Sequence, residues 1–292
     1  MPAGDAAILA PVRERAVDPS VDDPPTRTGA GTRMETGTIG SLDALPPAVR
    51  DHAGQTVTLT LNRFGWAGTA WMLPQMQRSK RALRRVPDLL FHVLMGTGGG
   101  AGFSTRPNPA VWTLLCAWPS GRAAAAALDA PPFRDRHARA RETMTLFLAP
   151  TACRGSWAGH GFEPGRGADD AAGPVAALTR ASVRARALVP FWHRVPAISD
   201  ALVLGSEARF AIGMGEVPYL HQVTFSIWDD VPAMRRFAGG AAHGEAARQV
   251  YENGWFAEEM FARFRVLGAV GSWGGRSARE IAGKPMIGGG SR

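Results

Sequence analysis

Cysteine is nearly absent. The 292-residue chain has two, Cys116 and Cys153, which supply neither a disulfide framework nor a metal-binding spacing and leave a reducing cytoplasm as the expected compartment. No GxSxG, HExxH, CxxC or paired-carboxylate arrangement occurs, so hydrolytic and zinc chemistry have no support. No apolar run approaches the roughly 20 residues that span a bilayer. The opening MPAGDAAILAPVRERAVD lacks the basic-then-apolar order of a secretion signal. Aromatic-studded basic motifs are missing as well. The net charge is +8, but it is mostly arginine spread along the chain, so no nucleic-acid partner is expected.

What remains is ordinary for a globular protein, 45% hydrophobic and 20% charged, and long enough to bury a substantial core. Residues 1–53 are rich in Pro, Gly, Asp, Arg and Thr without periodicity and read as a disordered extension. Residues 276–292 read as a flexible tail and 151–173 as a linker. Between them the pattern predicts strand 56–64, helix 69–86, strand 89–96, loop 97–109, strand 110–118, helix 120–138 and strand 142–149. After the linker come strand 174–182, helix 185–203, strands 207–214 and 220–228, helix 231–259 and strand 260–267.

Both series read βαββαβ, the ferredoxin-like order. The fold class is therefore α+β: two tandem ferredoxin-like repeats, residues 54–150 and 174–275, forming a pair like a dimeric α+β barrel, with a cavity between sheet and helices in each half. The spacing supports duplication. Arg63 precedes Gly96 by 33 residues, as Arg180 precedes Gly213, and Trp118 and Trp228 each close a strand before a helix. The glycine-rich GTGGGAG at 96–102 leads into FSTRPNP instead of a helix, which fits a flexible loop or lid better than a phosphate loop.

Residues 213–264 carry the most information. Val223, Phe225 and Ile227 alternate with Thr224 and Ser226 on a strand with one buried face. Asp230 then caps a helix with Pro232 in its first turn. His243, Ala246, Ala247, Val250 and Tyr251 fall on one helix face. His243 is thus expected to point toward the sheet, as a core histidine or as an axial ligand to a buried haem. Aligning the two tryptophans sets it opposite Phe133, so only the second copy has this imidazole. The other six histidines, at 52, 92, 137, 160, 193 and 221, show no such register. Arg180, at the predicted strand end, reads as a solvated charge, a partner for a propionate or a weak catalytic candidate.

GEVPYLHQVTFSIW, the helix opening HGEA and WFAEEMFARF carry a resemblance that extends to TVTLTLNRF, GTGGGAGF, VWTLLCAWP and PVAALTRASV. Over residues 55–273 the sequence resembles the spheroidene monooxygenase family. The resemblance implies an oxygenase that hydroxylates an acyclic, spheroidene-like carotenoid twice at the carbon beside its methoxy end, giving the 2-keto product. It further implies haem b, O2 and a reduced ferredoxin-type electron-donor protein, with His243 on the haem iron. The rival readings are a cofactor-independent or haem-modifying enzyme of the same architecture, and a non-catalytic barrel that binds haem or another apolar ligand. A carotenoid resides in membrane, so the expectation is a cytoplasmic enzyme in peripheral contact with an anionic inner-membrane surface through the arginine-rich helix 78–85.

Overall fold

The computed structural model describes residues 45–100, 104, 106–165, 173–193, 208–217, 219–239 and 252–283. The first repeat runs α1 (Pro47–Arg50), β1 (Thr56–Phe64), α2 (Trp66–Leu83), β2 (Phe91–Gly98), β3 (Pro107–Trp118), α3 (Gly121–Ala127), α4 (Pro131–Arg139) and β4 (Ala140–Gly155). The second runs β5 (Val175–Val183), α5 (Leu188–Trp192), β6 (Phe210–Gly215), β7 (His221–Trp228), α6 (Val231–Ala238) and β8 (Phe256–Trp273), followed by β9 (Arg276–Ser277) and α7 (Ala278–Ala282). The fold class is the α+β expected, with the ferredoxin-like strand order in each repeat, β4-β1-β3-β2 and β6-β7-β5-β8.

The two sheets do more than face each other. β2 pairs with β6 through Gly96 opposite Gly215 and Thr97 opposite Met214. At the other edge β4 pairs with β8 from Met144 opposite Gly271 to Gly155 opposite Met260. Eight antiparallel strands therefore close into one barrel, of the size whose interior side chains just fill. On β1 the alternation is strict. Val57, Leu59 and Leu61 point inward to meet Met144, Leu146, Phe225 and Phe264, while Thr56, Thr58, Thr60 and Asn62 point outward beneath the helices. Those outward polar groups are paired: Trp118 Nε1 donates to Thr58 at 3.0 Å, the Thr60 and Thr145 hydroxyls bond at 3.0 Å, and Asn62 donates to Thr143 at 2.9 Å.

The helices follow local signals. Met72 and Leu83 of α2 are buried, with Met76 half-buried and Val86 buried just beyond. The basic residues at its C-terminal end suit the negative end of the helix dipole. Asp230 caps α6 by accepting from the Ala233 amide at 2.7 Å.

Boundaries differ from the sequence reading in several places, among them the helix expected over 120–138, which is broken into α3 and α4. Residues 45–53, assigned to the extension, hold α1, whose Val49 is fully buried beside Leu267. The region read as the linker opens with the end of β4 and buries Trp157 and Phe162 in the barrel interior. The region read as the tail contains α7, fixed by a Ser277–Glu280 capping box. The long helix expected over 231–259 ends at Ala238, and β8 starts at Phe256; residues 240–251, including His243, lie outside the described residues.

β4 and β8 each bend at a glycine with positive φ, Gly155 at 79° and Gly271 at 90°. A Cβ there would sit 2.1 Å from the Glu259 carbonyl oxygen and 2.0 Å from that of Thr143. Gly155→Ala and Gly271→Ala are each expected to destabilise the fold by at least about 1–3 kcal/mol, the range for a forced left-handed residue. Urea unfolding checks this; midpoints unchanged from the parent protein would show that neither turn needs glycine.

Candidate functional site

Counting from the paired tryptophans fixes the correspondence between repeats. Thr56 lies opposite Trp118, and Val175 opposite Trp228. Five residues on, Leu61 and Arg180 occupy the same inward-facing place. Each lies opposite a methionine, Met144 or Met260, that itself faces the bend glycine of the other repeat. The counterpart of Arg63 is therefore Ser182, and that of Gly96 is Gly215. The 33-residue spacing chose the wrong glycine of Gly213-Met-Gly215, which shifted the expected Arg63–Arg180 pairing by two.

Arg180 is accordingly a buried cation inside the barrel, 3% exposed. Its guanidinium bonds Glu258, lies 3.7 Å from Glu216 and sits 5.8 Å from the centre of the Trp157 ring. Trp157 Nε1 donates to Glu216 at 2.7 Å, and the Ser156 hydroxyl donates to Glu258 at 3.0 Å. Burial works to raise the Glu258 carboxyl, but hydrogen bonds from Ser156 and Arg180, the Arg180 charge and the Gly159 backbone together hold it below the usual carboxylate range. Two carboxylates and an indole thus neutralise the cation that replaces a leucine.

At the opposite end Arg63 lies 4.6 Å from the Trp273 ring and pairs with Glu142 at 3.1 Å. Trp157 and Trp273 belong to one repeated motif, Gly155-Ser156-Trp157 and Gly271-Ser272-Trp273. Inspection of the histidines and helix faces passes over it, and a search for identical tripeptides in the two halves finds it.

The outer faces of the two sheets diverge. In the first repeat two lateral rows, Thr60–Leu114–Leu94 and Thr58–Cys116–His92, are covered by helices, with Thr60 and Leu114 buried. The matching rows in the second are Thr179–Thr224–Gly213 and Ala177–Ser226–Ala211. Nothing on this floor is larger than threonine. Thr179 is exposed although β5 is flanked by hydrogen-bonded strands on both sides. α6 packs onto the second row: Ala233 and Met234 join Val175 and Trp228, with Ala177 and Ala211 against them, and Ser226 is buried. Arg263, beside Ala177 on β8, is buried and donates from Nε to Thr151 at 3.2 Å.

The other sequence candidates are dispersed. His137 sits on the inner side of α4, pushed down to about 4 by burial and by Arg136, with Nε2 lacking a hydrogen-bond partner. His92 is lowered chiefly by burial, then by Arg84, Arg136 and Lys80. His160 stacks on Phe91 at 4.9 Å, and His221 lies 3.9 Å from Glu216. Both cysteines are free, and among the described residues no cluster of His, Cys, Asp and Glu could hold a metal ion. Of the glycine-rich segment, Gly96 and Gly98 belong to β2, while residues 101–103 lie outside the described residues.

Removing the Arg180 cation leaves Glu216 and Glu258 facing each other. Arg180→Met is expected to destabilise by about 2–3 kcal/mol. Adding Glu216→Gln and Glu258→Gln should recover part of that loss. Thermal unfolding of the single and triple variants distinguishes a needed counter-ion from a dispensable surface charge, for which the single variant would melt like the parent.

No family model matches the chain. Three curated relatives carry the name spheroidene monooxygenase. The protein of Cereibacter sphaeroides is 42% identical over 227 residues, covering 76% of this chain and 70% of that one. The one from Rhodobacter capsulatus is 42% identical over 224 residues, 75% and 93% of the two chains. The one from Rubrivivax gelatinosus is 33% identical over 248 residues, 85% and 96%. Among solved structures, an aldoxime dehydratase in complex with butyraldoxime is 9% identical, with a TM-score of 0.49 over 76% of this chain and 81% of that one. The second repeat's small-residue sheet face thus sits in a chain whose sequence is shared along most of its length with these relatives: the protein belongs to the spheroidene monooxygenase family.

Proposed function

We propose that this monooxygenase acts on an acyclic carotenoid of the spheroidene type, hydroxylating it twice beside the methoxy end to give a 2-keto product. The reading takes its substrate from the relatives' name and its site from the small-residue floor of the second sheet, where Thr179 is exposed. That floor is the observation that carries it. An unactivated C–H bond is beyond side-chain chemistry, so a redox cofactor must supply the oxidant and the protein the dry, shaped surface.

We assign the side of this face away from α6 to a flat macrocycle. There Thr179 is exposed beside Thr224 and Gly213, while Ala177, Ala211 and Ser226 of the next row lie under α6. In the first repeat Leu94, Leu114 and His92 fill the same space. Arg263 at one edge is a cation suited to the acidic side groups of a porphyrin. His243 is the residue we assign as its axial ligand. Its first-repeat counterpart, Phe133, supports an inward orientation at that position, being buried with its ring 5.8 Å from that of Trp118. Haem held there would supply oxygen activation, with electrons from an external ferredoxin-type protein. Arg180 points to the other face of the sheet, and we assign it to closing the barrel end.

The substrate's residence in membrane fits the surface of α2. Its exposed side is apolar at the start, with Trp66 84% and Leu73 56% exposed, and cationic from Arg78 to Arg85. No helix among the described residues is long and apolar enough to cross a membrane, so we assign α2 to peripheral contact with anionic lipid.

Two experiments follow. The purified protein is expected to show a Soret band that His243→Ala abolishes, and cells making spheroidene should form the ketone, by absorption and mass, with the parent gene but not the variant. A variant retaining both the unaltered spectrum and the oxidation defeats the ligand assignment. Neutralising Arg78, Lys80, Arg81, Arg84 and Arg85 should weaken sedimentation with anionic vesicles at least tenfold, while unchanged binding removes α2 from the contact.

A further inference from the structure

The joint between β2 and β6 encloses a cavity of about 280 Å³. Its walls include Gly96, Gly98 and Trp112 from the first repeat and Met214, Gly215 and Gln222 from the second. This is the weaker of the two seams, with two residue pairs, and it is where Gly96 meets its own counterpart, Gly215. We propose that this cavity receives one end of the elongated apolar substrate and delivers it to the second sheet's outer face at Thr179 and Thr224.

Continuity carries the argument. Gly215 and Gln222 are a register pair, and two residues along the same strands comes the pair Gly213 and Thr224 of the floor. Residues two apart on a strand share a face and lie about 7 Å apart. The cavity wall and the floor are therefore one surface. At the outer end the rim has exposed apolar groups: Leu73 of α2, 56% exposed, and Tyr219, 46% exposed, in the turn before β7. The cavity accordingly opens beside the helix that we assign to the lipid surface.

Tyr219 holds a left-handed conformation, φ 67°, an uncommon one for a tyrosine. Trp192 supports it by donating from Nε1 to the Tyr219 carbonyl at 3.1 Å, with the two rings 5.7 Å apart. Such strain persists where surrounding structure enforces it, often at ligand clamps. Among the described residues the lining has two aromatic rings at the rim and Glu216 as its one charged group, which selects an apolar chain over a charged metabolite. The proposal rests on the reading that oxidation occurs over the second sheet's floor.

Gly96 offers a clean test. Its φ is not in the left-handed region, and a Cβ there would meet only the Trp112 ring, at 3.9 Å. Gly96→Leu would thus project into the cavity without backbone strain. Purified parent and variant are titrated with spheroidene in mild detergent, following polyene absorption and tryptophan quenching, and turnover is measured with a reductant. At least a tenfold weaker Kd and a raised KM are expected, with the cofactor spectrum and Tm retained. If Gly96→Leu melts early, Met76→Trp, which fills the cavity from α2, replaces it. A folded variant that binds as the parent does overturns the proposal, even where oxidation itself is confirmed. A parent that binds spheroidene without oxidising it, with binding lost in the variant, keeps the cavity and removes the proposed function.

Discussion

The structure depends on one long edge-to-edge ladder, the pairing of β4 with β8. Each of these strands belongs to a different repeat, and each runs past its own sheet to reach the other. Without that ladder both repeats would present bare strand edges, with unpaired amides and carbonyls along their length. The ladder survives its own ends because Gly155 and Gly271 allow the chain to turn where any side chain would strike a carbonyl. The following Ser-Trp then folds the indole over the barrel mouth, where an arginine on the inward face of β1 or β5 meets it. Closure and capping are thus parts of one device used twice.

The device is symmetric, but what surrounds it is not. At one mouth Arg180 is buried and held between two carboxylates, whereas Arg63 sits two residues farther out and is half-exposed. The outer faces depart further. Leucines, a histidine and a cysteine fill the first beneath α2 and α4, while alanine, glycine, serine and threonine tile the second. The first half is a scaffold with its space used up. The second carries small side chains on its outer face, with Thr179 exposed among the described residues.

The order of elements was legible in the sequence because strands with one apolar face announce themselves by alternation, as in Val223, Phe225 and Ile227. The helix caps were legible too, since Asp230 and Pro232 act locally. The sheet register was not. Gly213 and Gly215 are equally good partners for Gly96 by spacing, and only cross-strand pairing decides between them. Arg180 looked like a strand-end charge because its counter-ions, Glu216 and Glu258, lie 36 and 78 residues away. The small-residue face was hidden for a related reason. Thr179, Thr224 and Gly213 mean little on three separate strands and acquire their meaning only when laid side by side.

Gly96 opposite Gly215 marks the point where each repeat touches its own counterpart. In an assembly of two identical subunits any residue placed near that point would appear twice, so an opening there would be mirrored and both outer faces would have to serve alike. Joining the copies in a single polypeptide lifts that restriction. One face can then be given to holding the protein together and the other to chemistry, and the junction between them can lean toward the working side.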